Sequence, residues 1–216
     1  MRRLFAILAL GLVIGPAVAN ADILVDFDTD ANWTAGSGGL TSYQSDHVYS
    51  DLGMTFTGGP AVRQTTTAQD GFAGALGTYS WRMRNVPTSW TATYSTVAPA
   101  DSMVSGFSFD VRRWDGAPSP EVNVEYSTNG GGAFTNVGFI DNAFLGDSSD
   151  WSNFSFGFGP FTAADGDFVV RLTTSTGERF MVDNFTVNTV AVPEPTSLLV
   201  LGSILGVGLV ARRRRS

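Results

Sequence analysis

The chain contains no cysteine and no lysine, and only one histidine, His47. Without cysteine there is no disulfide to staple the fold, so stability must come from a packed core; thiolate metal sites and cysteine nucleophiles are excluded as well. One histidine rules out a multi-histidine zinc site. Helical patterning is also missing. No stretch between the ends keeps apolar residues at a 3.6 spacing for three turns, and no internal repeat is present.

Both ends of the 216-residue chain read as targeting segments. Arg2 and Arg3 precede the apolar run Leu4–Ile14, which is followed by Gly15-Pro16 and the small-residue stretch Ala17-Val18-Ala19-Asn20-Ala21. Charge, short apolar run and A-x-A together form a secretory signal peptide, residues 1–21, with cleavage after Ala21 and the overlapping frame at Ala19 as second choice. A retained anchor would need roughly 17–25 apolar residues. At the other end, Val192-Pro193-Glu194-Pro195 fixes an extended, donor-poor peptide. Residues 198–211 follow without a charge, and Arg212, Arg213, Arg214 and Arg215 close the chain. As a helix, 198–211 would be about 21 Å long, against ~30 Å of hydrocarbon. The arginines would hold that end on the cytoplasmic side.

The ends conceal the charge of what lies between them. All 13 basic residues are arginine; two fall in 1–21 and four in 212–215, leaving seven against 20 acidic residues, a balance of −13. Such a surface repels nucleic acid and anionic headgroups, so nucleic acid is not an expected partner.

Within 22–187 the pattern has a period of two. Trp81 and Met83 alternate with Arg82; Phe107, Phe109 and Val111 with Ser108 and Asp110; Val122, Val124 and Tyr126 with Asn123 and Glu125; and Phe154, Phe156 and Phe158 with Ser155 and Gly157. These are half-buried strands. Asn129-Gly130 and two further glycines mark a hairpin loop. The prediction is an all-β, two-sheet antiparallel β-sandwich, jelly-roll-like, over 22–187. A linker follows at 188–197, then the apolar sorting helix 198–211 and the arginine tail 212–216.

The order Pro-Glu-Pro, short apolar helix and terminal arginine cluster resembles the PEP-CTERM sorting signal of Gram-negative bacteria. The resemblance covers about 192–216. It implies recognition of Pro193, Glu194 and Pro195 by a membrane-embedded exosortase-type enzyme, a stop-transfer role for Arg212–Arg215, and transient membrane residence of 198–211. It also implies cell-surface or extracellular delivery after tail processing, in an exopolysaccharide or biofilm setting. The alternative for this segment is a plain tail anchor.

Candidate chemistry is sparse. A Ser-His-Asp triad could use only His47, in the polar stretch Ser45-Asp46-His47-Val48-Tyr49-Ser50-Asp51, where a surface histidine is the simpler reading. Glu121 and Glu125 share one strand face, but four residues separate their Cα atoms by about 13 Å. That exceeds the ~5–9.5 Å between glycosidase carboxyls. Asp26, Asp28 and Asp30 alternate near the front, yet Ala31 and Ser37 occupy the positions where an EF-hand needs Gly and Glu. The acidic first strand, the Tyr126–Gly131 hairpin and the late Val182-Asp183-Asn184 resemble jelly-roll carbohydrate-binding and adhesion domains. That resemblance implies a structural Ca²⁺ at Asp26, Asp28 and Asp183. Trp33, in a Gly/Ser/Thr loop, and Trp114, beside Arg112, Arg113 and Asp115, are the aromatic candidates for stacking on a sugar; the other reading of each is a loop pin in the core.

The sequence therefore predicts an exported, non-enzymatic surface or matrix protein, with exopolysaccharide as candidate ligand. A structural or adhesive component without glycan affinity is the first alternative, and a carbohydrate-active enzyme the second.

Overall fold

The computed structural model describes residues 22–34, 47–58, 63–65, 74–83, 88–94, 102–114, 121–146, 150–162, 168–174 and 179–191. The expected signal peptide 1–21, Pro193–Pro195, the segment 198–211 and Arg212–Arg215 lie outside the described residues. Thirteen strands are described: β1 Ile23–Val25, β2 Trp33–Thr34, β3 Val48–Asp51, β4 Met54–Gly58, β5 Arg63–Thr65, β6 Ser80–Met83, β7 Thr88–Tyr94, β8 Ser102–Arg113, β9 Val122–Ser127, β10 Thr135–Ile140, β11 Ser152–Phe161, β12 Phe168–Thr174 and β13 Phe180–Ala191. A 3-10 turn at Asp30–Asn32 and a one-turn helix, α1, Asn142–Leu145, complete them. Asp141 caps α1, its carboxylate accepting the Phe144 N–H at 2.9 Å. Among the described residues no helix is long and apolar enough to cross a membrane.

The strands form two sheets. One has the order β11-β8-β13-β6-β5, with β1 also paired to β13; the other runs β10-β9-β12-β7-β4-β3-β2. All pairs of defined register are antiparallel. The two-sheet all-β architecture agrees with the sequence pattern. The β9–β10 hairpin turns where expected, with Gly130 at φ 68° and Gly131 at φ 87°.

Alternation places Phe107, Phe109 and Val111 from β8, Val122 and Val124 from β9, and Phe154 from β11 between the sheets. Aromatic rings dominate this core. Phe27 meets Tyr49 and Phe56 edge-on at 5.2 and 4.9 Å, and Phe109 stacks on Phe154 at 5.3 Å. Such pairs add about 0.5–1.5 kcal/mol each beyond area burial.

Two sequence readings need correction here. β6 was read as half-buried, but Ser80, Trp81, Arg82 and Met83 are all buried. Its outer face is covered, with the Arg82 guanidinium lying over the Trp114 ring. The linker was placed from Asn188, yet β13 continues to Ala191, and Thr189 is buried with its N–H donated to Asp22 Oδ1 at 3.1 Å.

Candidate functional site

The acidic residues singled out from sequence meet at a seam in the first sheet. β6 pairs with β13 at Phe180–Val182 and β1 pairs with it at Phe185–Val187, so Asp183 and Asn184 fall between the two partners. Val182 and Phe185 both face the core although three residues apart, so the alternation gains a residue here, and Asn184 takes φ 47° to accommodate it. Asp183 is left buried in the gap between β6 and β1, with β8 on the other side of β13. Its Oδ1 accepts the Asn184 N–H at 2.9 Å and its Oδ2 the Leu76 N–H at 3.0 Å. Just after β1, Phe27 takes φ 62° and the Asp28 N–H donates to Asp26 Oδ1 at 3.1 Å. That turn aims Asp28 at the same loop, where its Oδ1 accepts the Thr78 and Tyr79 N–H groups at 2.6 and 2.9 Å. Two carboxylates thus hold residues 76–79 by their amides.

Burial pushes the Asp183 carboxyl up to about 7; the two amide donors offset this in part, while Asp28 and Asp110 add repulsion. Burial likewise lowers Arg112 to about 10, against the attraction of Asp183. Asp110 is held by amide side chains, accepting from Asn184 Nδ2 at 3.0 Å and Asn153 Nδ2 at 2.9 Å.

Asp26 and Asp28 each accept N–H donors on Oδ1, and Asp183 accepts one on each oxygen. Among the described residues no three His, Asp or Glu side chains come together to hold a metal. These carboxylates act as pins for a loop.

The two aromatic candidates are also corrected. Trp33 is 7% exposed and packs at 4.8 Å from Trp81 and 4.9 Å from Tyr49, with Nε1 donating to the Phe27 carbonyl at 2.9 Å. Trp114 is 2% exposed, with Arg82 over one ring and Arg179 at 6.0 Å. Neither offers a face to a sugar. Arg112, read as its flanking donor, is buried with Nη1 on the Arg113 and Trp114 carbonyls. His47, read as a surface residue, is fully buried edge-on to Trp33 at 6.5 Å.

The open polar surface lies elsewhere, on the outer face of the second sheet. Register places Val48, Thr57, Thr91, Arg171, Glu125 and Asn136 in one row across six strands, about 24 Å at the usual strand spacing. Thr57 and Thr91 hydroxyls are 2.7 Å apart. Arg171 Nε donates to Glu125 Oε2 at 2.8 Å, the Thr173 hydroxyl donates to the same oxygen at 3.4 Å, and Asn136 Nδ2 donates to Asn123 Oδ1 at 3.2 Å. The Arg171 guanidinium sits 3.7 Å over the Phe134 ring. The side chains of Arg171 and Glu125 are 33% and 18% exposed, so the network is open to solvent. Sequence alternation placed Glu125 outward and singled it out; Arg171 and Asn136 gave no comparable signal, because strand partners separated by 46 and 11 residues are set by register.

No protein-family model matches this chain, and no curated protein does. Solved structures are similar at low identity. The K2 cleaved adhesin domain of Lys-gingipain is 14% identical with a TM-score of 0.46, over 77% of this chain and 99% of that one. The CBM22-1 xylan-binding domain of Paenibacillus barcinonensis Xyn10C is 14% identical with a TM-score of 0.43, over 82% and 100%. TmCBM61, solved with β-1,4-galactotriose, is 13% identical with a TM-score of 0.40, over 65% and 89%. Likeness at this level carries no ligand over to the present chain. The structural neighbours of this all-β chain thus include carbohydrate-binding modules and an adhesin domain.

Proposed function

We propose that this chain is an exported, non-enzymatic surface or matrix protein that binds a neutral polysaccharide across the outer face of its seven-stranded sheet. The observation that carries the reading is the Arg171–Glu125–Thr173 network at the centre of the transverse polar row. Sugar hydroxyls both donate and accept, and a row of guanidinium, carboxylate, amide and hydroxyl groups offers both functions along an extended chain. Partial burial and mutual hydrogen bonding hold these side chains in place, which lowers the ordering cost of binding. A polyanion is disfavoured, because the chain carries 20 acidic residues against 13 basic and Arg171 is already engaged by Glu125. Delivery and release rest on the sequence of the two ends: export by 1–21, then recognition of Pro193, Glu194 and Pro195 by an exosortase-type enzyme.

The test is co-sedimentation of the full chain with the producing cell's own exopolysaccharide, comparing Arg171→Ala and Asn123→Ala with the parent. Saturable binding that both variants weaken without changing the melting temperature supports the reading. Binding indifferent to both moves the site elsewhere. No binding by the parent leaves a structural or adhesive protein. For the tail, the mature chain from its native host should have a mass lacking the segment after Pro195; a mass that retains Arg212–Arg215 would mean an anchor.

A further inference from the structure

A strand at the edge of a sheet presents unpaired N–H and C=O groups to any chain that can align with them. Folds blunt such edges with short strands, charges, proline or bulges. The two sheets end on β2, β5, β10 and β11. β2 has two residues, and β5 has three, one of them Arg63. β10 shifts register between Asn136 and Gly138. Only β11 lacks these devices over most of its length. It has ten residues, none charged, and keeps continuous register with β8 from Ser152 opposite Val111 to Gly157 opposite Gly106. Its register shift and Pro160 lie beyond that span. No described strand pairs with its other edge.

The order of residues along β11 adds a second, independent observation. Phe154-Ser155-Phe156-Gly157-Phe158 reads almost identically in either direction about Phe156. In a two-fold dimer residue i meets j and j meets i, so a strand that pairs with its own copy gains from such symmetry. Antiparallel pairing centred on Phe156 would set Phe156 against its counterpart, Phe154 against Phe158, and Ser155 against Gly157. Aromatic rings would then meet on the core side, where Phe156 and Phe158 are still half-exposed. Small residues would meet on the outer side, where Ser155 and Gly157 are exposed. We propose that the free edge of β11 is a self-association surface on which a second copy of this chain adds its own β11 antiparallel, joining the two six-stranded sheets into one.

Charge also selects a second copy. Two copies of a chain with an acidic excess repel wherever charged faces meet, and β11 provides an uncharged contact. Asp150, just before the strand, would face position 162 of the other copy, far from its own counterpart.

The experiment is sedimentation equilibrium of the full chain in mild detergent across the micromolar range, without polysaccharide. The expected mass moves from one chain to two as concentration rises. Ser155→Lys and Ser155→Glu each bring like charges onto diagonal positions of the paired strands and should weaken the dimer by about two- to fivefold. An equal mixture of the two variants should recover it, since Lys and Glu then lie diagonally across the pair. Both substitutions are at an exposed position, so the melting temperature of the single chain should not change. A single-chain mass at every concentration, a dimer that neither variant weakens, or a mixture that fails to recover it would each overturn the proposal.

Discussion

The buried Asp183 carboxyl makes a quantitative prediction about pH. In the folded chain it keeps its proton up to about pH 7; in the unfolded chain it loses it near 3.9. Below the lower value both states are protonated and the group is neutral in the balance. Between the two values only the folded state holds the proton, so each pH unit upward removes about 1.4 kcal/mol of stability. Above about 7 both states are ionised and the loss is complete. The ceiling is therefore about 4 kcal/mol, lost between roughly pH 4 and 7. Urea midpoints of the full chain, measured from pH 4 to 8, would follow this change. The other acidic residues contribute slopes of their own, so the informative quantity is the difference between the parent and Asp183→Asn. The variant should be less stable at low pH by about 1–3 kcal/mol, because an amide cannot accept from both the Leu76 and Asn184 N–H groups. That deficit should shrink, or reverse, as pH rises to 8. A deficit that stays constant across the range would refute the assignment of a raised carboxyl at this position.

Further outcomes are expected at neighbouring positions. Trp114→Ala should cost about 3–5 kcal/mol in unfolding experiments, with no selective loss of polysaccharide affinity, because the ring is enclosed beside Arg82 and Arg179; a stable variant that lost binding would restore an exposed role. Gly77→Ala should destabilise by about 1–3 kcal/mol, since a Cβ there runs into the Asp28 carboxylate that holds the loop; an unchanged melt would show that the loop can move aside. A structural Ca²⁺ at Asp26, Asp28 and Asp183 predicts a melting temperature that falls by several degrees in EDTA; an unchanged melt would remove it.

Much of the fold was legible because strand alternation is a local property. The facing of Phe107, Phe109 and Val111, or of Val122 and Val124, follows from a period of two and needs no partner strand. The glycine-rich β9–β10 turn was legible for a similar reason, since Gly130 and Gly131 take φ values that other residues resist. The absence of cysteine and of helical periodicity narrowed the architecture before any contact was known. What failed was exposure. Trp33, Trp114 and His47 sit among polar neighbours in the sequence, and polar neighbours suggested solvent. Their burial depends on what folds over them: the Phe27 turn and Trp81 over Trp33, and Arg82 over Trp114. The amide partners of Asp28 and Asp183 were not legible either, because they lie 50 and 107 residues away. By itself the sequence determined the strands, their inward faces and the acidic charge. Tertiary structure alone decided which polar residues stay in water, because that depends on strand register and on loops crossing a sheet face, and neither is encoded within a single strand.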